Sequence, residues 1–158
     1  MIAFTDGSCL KNGSETNTGG FGVVLLNDDG SFHSCYQKQA DNTTNNEMEL
    51  KAILYVFMKY GHLRPAPTIY SDSAYCVNSL NEWIFNWARN GWIKSDKKPP
   101  ENLEIMRVFY DFYQKGYKMN LVKVKGHHGV LWNEIADGLA TGKLAAADVE
   151  RKYNGGNH

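Results

Sequence analysis

Four carboxylates in this chain stand where structure alone does not call for an acid. Asp6 closes an apolar run in Phe4-Thr5-Asp6-Gly7-Ser8, just before a glycine that can bring backbone close to a ligand. Asp72 repeats the arrangement in Ile69-Tyr70-Ser71-Asp72-Ser73, at a strand end and a helix start, where its competing role is that of an N-cap. Glu47 and Glu49 share the first turns of one helix. Thr44-Asn45-Asn46-Glu47 fits a capping box, with Thr44 as the cap and Glu47 reaching back to the cap amide, so Glu47 is structural. Glu49 shares a face with Ala52, Ile53 and Val56 and borders the stripe that packs on a sheet, where an unpaired carboxylate is costly. Asp137 sits among Ile135, Ala136, Leu139 and Ala140 on the last helix, its competing role being a solvated helix position. If the fold gathers these acids, they form a hard oxygen donor set suited to magnesium, with manganese as a substitute. The reaction such a site supports is phosphodiester hydrolysis: of two ions, one lowers the pKa of the attacking water and the other stabilises the leaving oxygen, so no side-chain nucleophile is required. Clustered carboxylates alone would repel a phosphate backbone, which makes a cofactor necessary.

The elements that must position these acids alternate between strand and helix. Met1–Cys9, Phe21–Leu26 and Ser31–Gln39 are predicted strands, with Asp28-Asp29-Gly30 as the hairpin turn between the second and third, giving an antiparallel meander. Leu50, Ile53, Leu54 and Phe57 then recur at helical spacing until Gly61, Pro65 and Pro67 end the helix. Thr68–Ser71 is a short strand, and Ser73–Leu80 and Glu82–Arg89 are helical pieces. Gly91 and Pro99-Pro100 bracket a loop, Leu103, Met106, Phe109, Tyr110 and Tyr113 mark an amphipathic helix, Asn120–Val124 is a fifth strand, and Trp132–Leu144 is the closing helix. Strands that return after crossover helices give an α/β fold, a mixed sheet covered by helices. Residues 1–150 are expected to form one domain and residues 151–158 a disordered tail.

Composition bounds the remaining functions. The 158 residues carry 17 basic and 17 acidic side chains, so the whole-molecule field attracts no polyanion and any nucleic-acid binding must be local. No apolar run is long enough for a membrane span, and no secretory signal follows Met1, so a soluble, cytoplasmic protein without a membrane partner is expected. Cys9, Cys35 and Cys76 are odd in number and contain no CxxC pair, which argues against disulfides and zinc and for small core residues.

Thr5-Asp6-Gly7-Ser8-Cys9, Thr43-Thr44-Asn45-Asn46-Glu47-Met48-Glu49-Leu50, Ser71-Asp72-Ser73-Ala74-Tyr75 and Val124-Lys125-Gly126-His127-His128-Gly129 resemble, in order, the motifs of type 1 ribonuclease H. The resemblance runs from the first residue to the helix containing Asp137. It implies the ribonuclease H-like fold, a five-stranded mixed sheet flanked by helices, and cleavage of the RNA strand of an RNA/DNA hybrid with two magnesium ions. Asp6, Glu49, Asp72 and Asp137 would be the metal-binding carboxylates, the four reached from chemistry alone. His127 matches the family's mobile-loop histidine, associated with proton transfer or product departure, a task suited to an imidazole titrating near neutrality; His128 has no matched role. Asn133 and Glu134 match positions near the site.

Substrate choice has to come from groups outside the metal centre. Trp83, Trp87 and Trp92, interleaved with Arg89, Lys94, Lys97 and Lys98, resemble the family's basic protrusion that holds the DNA strand, where aromatics pack sugars and cations neutralise phosphates. Trp83 and Trp87 also fit a core role on an amphipathic helix, which leaves Trp92 as the better contact candidate. Asn12, Asn45 and Asn102 match polar positions that touch the hybrid, Asn45 toward 2′-hydroxyls and Thr44 toward a DNA phosphate; reading the 2′-hydroxyl is how RNA is told from DNA. The chain departs from the family in the 11–18 segment, longer than the usual Pro/Gly-rich turn, which puts the Asn12 contact in doubt. Ala74, Ala88, Asn90 and Asn42 replace hydrogen-bonding or basic residues of relatives, so weaker and more salt-sensitive binding is expected. No obligate protein partner is evident and a monomer is expected. The alternatives are a DNA-cutting recombination nuclease of related fold, since fold alone does not fix function, and a nucleic-acid-binding module with a dead site, which the presence of all four acids opposes.

Overall fold

The computed structural model describes residues 1–10, 17–125 and 130–154. Its centre is a five-stranded mixed sheet of β1 (Ile2–Leu10), β2 (Thr18–Leu26), β3 (Phe32–Asp41), β4 (Thr68–Ser71) and β5 (Asn120–Lys123), in the spatial order β3-β2-β1-β4-β5. β1, β2 and β3 form the expected antiparallel meander, and β4 and β5 add in parallel on the other side of β1. Both parallel additions follow helical crossovers, as parallel pairing requires. The helices are α1 (Asn45–Tyr60), α2 (Ala74–Asn78), α3 (Ile84–Arg89), α4 (Leu103–Gln114), α5 (Leu131–Thr141) and α6 (Ala146–Asn154). None of them is long and apolar enough to cross a membrane.

Strand alternation divides the core into two layers. Ala3, Phe21, Val23, Leu25, Ile69 and Leu121 face α1 and α4, where Ile53, Phe57, Met106 and Phe109 are wholly buried. On the opposite face, Val24, Leu26 and Cys35 pack under Ile135, Ala136 and Leu139 of α5 and Val149 of α6. Burial of each large side chain stabilises the fold by about 1.5–3 kcal/mol relative to exposure.

The structure departs from the sequence-based expectations in four places. Ser73–Leu80 and Glu82–Arg89 are not separate pieces, because a π-helical turn over Ser79–Trp83 joins α2 to α3. β2 starts at Thr18, three residues early, since Gly19 and Gly20 continue the ladder opposite Cys9 and Ser8 despite their weak strand preference. Residues 151–154, assigned to the disordered tail, are the last turn of α6. That helix has only Val149 and Tyr153 as large apolar residues, too few to register as a periodic stripe. It is held by docking, with Val149 in the second core and Tyr153 against Phe32 and Trp132. Finally, Cys35 and Cys76 are buried free thiols as expected, but Cys9 is only half-buried, its thiol donating to the Thr43 carbonyl at 3.4 Å.

A candidate carboxylate metal centre

β1 and β4 are parallel neighbours, with Phe4 opposite Tyr70, so Asp6, which lies in the middle of β1 and not at the strand end expected from the sequence, stands level with Asp72 just past the end of β4. Ser73 caps α2 by accepting from the Cys76 amide at 3.1 Å, so the N-cap role considered for Asp72 falls to its neighbour. Thr44 caps α1 by accepting from the Glu47 amide, the first half of the expected capping box, but the Glu47 carboxylate, expected to reach back to the cap amide, pairs with Lys51 at 3.1 Å. Capped there, α1 carries Glu49 inward on its first turns.

Gly7 sets how closely that helix approaches. A Cβ at position 7 would lie 2.2 Å from the Glu49 nitrogen and 2.5 Å from the Met48 carbonyl carbon, so only glycine lets α1 rest against β1 there. The glycine expected to admit a ligand therefore admits the helix backbone that bears Glu49. On the other face, a Cβ at Gly22 would meet the Ala136 carbonyl oxygen at 2.4 Å, and this bare backbone seats α5 with Asp137.

These placements bring carboxylate oxygens of Asp6, Glu49 and Asp72 within 4.8 Å of one another. Asp137 lines the same open cleft of about 340 Å³, together with Ser8, Asn45, Asn46 and Ser73, but stands outside the tight trio. Asn133 is buried behind the strands, lining a small recess with Thr5, Asp6 and Asp72, whereas Glu134 is exposed. Ser8, Asn46 and Ser73 gained no role from the sequence; a residue next to each matched acid or asparagine was the available signal.

The electrostatics are those of a site built for cations. Glu49 is only 7% exposed, and one of its oxygens, Oε2, is buried without a hydrogen-bond partner among the described residues. Desolvation, then the charge and hydrogen bond of Asp6, then the charge of Asp72 hold its carboxyl well above the ordinary value of 4.5, against a smaller lowering by the Gly7 amide. Because the folded-state value is raised, the metal-free fold keeps a proton that the unfolded chain releases. Its stability is therefore highest below the ordinary value and falls as pH rises through the folded-state value. Glu49→Gln should raise the metal-free melting temperature at pH 8 by about 2–4 °C for each kcal/mol of strain removed, and by less at pH 5, since the strain grows as pH rises above the ordinary carboxylate value. Thermal unfolding in chelator at the two pH values reads this; a variant no more stable than wild type at pH 8 would refute it.

The residues expected to meet a hybrid lie in three places. Asn45 and Thr44 are exposed at the cleft side of α1. Asn102 has φ 57° ahead of α4 and donates its side-chain amide to the Tyr75 hydroxyl at 3.2 Å. In the protrusion, Arg89, Lys97 and Lys98 are exposed, while Lys94 is half-buried and lies 3.7 Å from Asp96. Exposure reverses the expected ranking of the tryptophans. Trp83 is 39% exposed, whereas Trp92 is tucked against Tyr110 beneath the Arg107 guanidinium, and Trp87 is half-buried. Trp92 has a positive φ of 65°, and its ring packs against the first core layer beside α4. Asn12, His127 and His128 lie outside the described residues.

A family model described as RNase H matches residues 1–145. The ribonuclease H of Ehrlichia ruminantium (strain Gardel) is 38% identical over 144 residues, covering 91% of this chain and 94% of the relative. The ribonuclease HI of Haemophilus influenzae (strain ATCC 51907 / DSM 11121 / KW20 / Rd) is 40% identical, covering 87% and 84%. Among solved structures, the foamy viral protease-reverse transcriptase in complex with RNA/DNA hybrid superposes with a TM-score of 0.79 at 21% identity, covering 89% of this chain and 19% of that one, a likeness of fold. With the sheet, the carboxylate trio and the match over most of the chain in agreement, the chain belongs to the RNase H family.

Proposed function

We propose that this chain is an endonuclease that hydrolyses the RNA strand of RNA/DNA hybrids, leaving 5′-phosphate and 3′-hydroxyl ends, with two magnesium ions held at Asp6, Glu49, Asp72 and Asp137 and manganese as a substitute. The observation that carries the reading is the trio of carboxylates within 4.8 Å, in a chain of this family. The donor set fits the ions. It is all-oxygen, it carries more negative charge than it can keep without a cation, and Glu49 Oε2 is buried with no hydrogen-bond partner among the described residues. Bound ions would supply activation of water and stabilisation of charge on the leaving oxygen.

The chain's own groups do the positioning. Gly7 and Gly22 bring helices to contact distance, so Glu49 and Asp137 converge on Asp6 of β1 and Asp72 just past β4. Asn45, at the cleft rim, is placed to read a 2′-hydroxyl, and Thr44 to meet a DNA phosphate. Arg89, Lys94, Lys97 and Lys98, with Trp83 outward and Trp92 beneath, would hold the DNA strand away from the cleft. Asn12 and His127 retain the contact and proton-transfer roles that the family pattern implies. All four acids come from one chain, which supports action as a monomer.

The test is cleavage of an end-labelled RNA/DNA hybrid in magnesium beside single-stranded RNA, duplex RNA and duplex DNA. Metal-dependent loss of the hybrid's RNA strand alone is expected; cleavage of duplex DNA would instead indicate a recombination nuclease, and folded protein inert in both metals a binding module. Replacing Arg89, Lys94, Lys97 and Lys98 with Ala should weaken hybrid binding and make its salt dependence shallower, by about 0.7–0.9 in log–log slope for each phosphate that is no longer neutralised. An unchanged slope in a binding titration would remove the protrusion from the interface.

A further inference from the structure

The second face of the sheet contains a device that the reaction as described does not use. Strand register places Gln37 opposite Gly22 and Gly22 opposite Asp6, so the three form one row across β3, β2 and β1. Residues directly opposite one another share a face. α5 lies over the bare middle of this row, with the Ala136 carbonyl oxygen, the Leu139 Cβ and the Ala140 nitrogen closest to where a Gly22 Cβ would be. Asp6 is at one end of the row, in the cleft that Asp137 also lines. Gln37, at the other end, makes three hydrogen bonds. Its Nε2 donates to the carbonyls of Leu139 at 3.0 Å and Leu144 at 2.9 Å, and its Oε1 accepts from the Ala146 amide at 2.6 Å.

The bonds fall at helix ends, and at Leu139 the Gln37 amide joins the Gly142 amide, whose capping bond to the same carbonyl is long at 3.3 Å. Leu139 and Leu144 offer carbonyls at and just beyond the end of α5, and Ala146 offers an amide in the first turn of α6, the groups that helix termini leave without intrahelical partners. One side chain thus ties the end of α5, the connection after it and the start of α6 to the edge strand, across sequence separations of more than one hundred residues. α6 begins beyond the residues matched by the family model, so the clamp joins a family element to one outside that pattern.

We propose that Gln37 is a positioning residue for Asp137: by pinning α5 at its C-terminal end over Gly22, it fixes the depth and rotation at which Asp137 enters the metal cleft. The inference rests on the metal-binding role of Asp137 given above. Gly22 permits close approach and Ile135, Ala136 and Leu139 hold α5 on Val24, Leu26 and Cys35, but apolar packing is non-directional and leaves small shifts of the helix along the sheet inexpensive. The three bonds of Gln37 remove that freedom, and a ligand two residues before Leu139 moves with the helix. Supporting groups of this kind determine how well a ligand meets its ion.

The experiment is Mn2+ binding to the full chain without substrate, by calorimetry, in wild type, Gln37→Met, Asp137→Asn and the double variant. Methionine keeps the shape of the side chain and removes all three bonds. Gln37→Met should weaken Mn2+ binding roughly tenfold, the lower end of what outer-shell partners contribute, yet have little further effect in the Asp137→Asn background, because the clamp acts through that carboxylate. Met106→Ala, a cavity in the opposite core layer, should lower the melting temperature and leave Mn2+ affinity unchanged, separating lost positioning from lost stability. Should Gln37→Met fail to fold, Gln37→Glu, which keeps the Ala146 bond and loses both donations, carries the same expectation. Wild-type Mn2+ affinity in a folded Gln37 variant, or an equal loss in the Asp137→Asn background, would overturn the proposal. Absence of Mn2+ binding by wild type itself would instead overturn the metal site on which it rests.

Discussion

Asp6→Asn should lower RNA-strand cleavage at saturating magnesium by at least about three orders of magnitude, some 4 kcal/mol of lost transition-state stabilisation. Asp6 lies at the centre of the site, its Oδ1 accepting from the Gly7 amide at 2.9 Å while its carboxylate lies against Glu49 and near Asp72. An asparagine oxygen can keep the Gly7 bond, and the β1 ladder at Asp6 and Gly7 is made by backbone groups, so the strand survives. What disappears is a full negative charge only 4% exposed, where few water dipoles are available to replace it. The fold should be unharmed or somewhat stabilised, because the same change removes a charge that opposes ionisation of Glu49. Single-turnover cleavage of a labelled hybrid, with circular dichroism as the check on folding, reads both effects. Activity within tenfold of wild type would mean that the chemistry does not pass through this trio. Asp137→Asn should be milder and better rescued by excess manganese, since Asp137 lines the cleft without belonging to the tight cluster.

Much of this site was legible in the sequence because each acid violates a local expectation. An aspartate closing an apolar run before a glycine, a glutamate on the apolar side of a helix and an aspartate amid alanines and leucines each require a partner, and the partner they share is a cation. The five strands and the helices carrying the acids followed from period and punctuation, and the motif resemblance agreed on the same four residues. What stayed hidden belongs to tertiary packing. Asp28-Asp29-Gly30 marks Gly30, with its φ of 86°, as a turn glycine, but nothing local shows that what Gly7 admits is the backbone of α1 and not a ligand. Trp92 was preferred as a contact because Trp83 and Trp87 fit a core role on an amphipathic helix, yet its ring packs against Tyr110 of α4 while Trp83 is the more exposed. α6 was missed because two apolar residues in nine make no stripe, and Gln37 because a polar residue on an edge strand reads as solvated until the elements it bonds arrive from the far end of the chain.

Gly7→Ala should destabilise the protein by about 3 kcal/mol or more, at or above the upper end of overpacking costs, and sharply weaken metal binding in whatever fraction remains folded. The added Cβ would lie 2.2 Å from the Glu49 nitrogen, 2.5 Å from the Met48 carbonyl carbon and 2.8 Å from the Glu49 Cα. All three are main-chain atoms, so no side-chain rotation relieves the overlap and α1 as a whole must retreat from β1. Any retreat also draws the Met48, Leu50 and Ile53 face out of the first core layer, so the strain spreads into packing that is fully buried. The same displacement withdraws Glu49 from Asp6 and Asp72, which separates this variant from an ordinary core defect. In a chelator, the raised carboxyl of Glu49 should relax toward its ordinary value as the trio opens, and metal should restore less melting temperature than in wild type. Gly30→Ala is the matched comparison: it has a positive φ but nothing within 4 Å, so it should cost about 1–2 kcal/mol of backbone strain and leave cleavage and metal affinity intact. Melting curves with and without magnesium for the two variants decide the matter. If Gly7→Ala lost no more stability than Gly30→Ala, or lost stability while binding metal normally, close helix approach at Gly7 would not be what assembles the site.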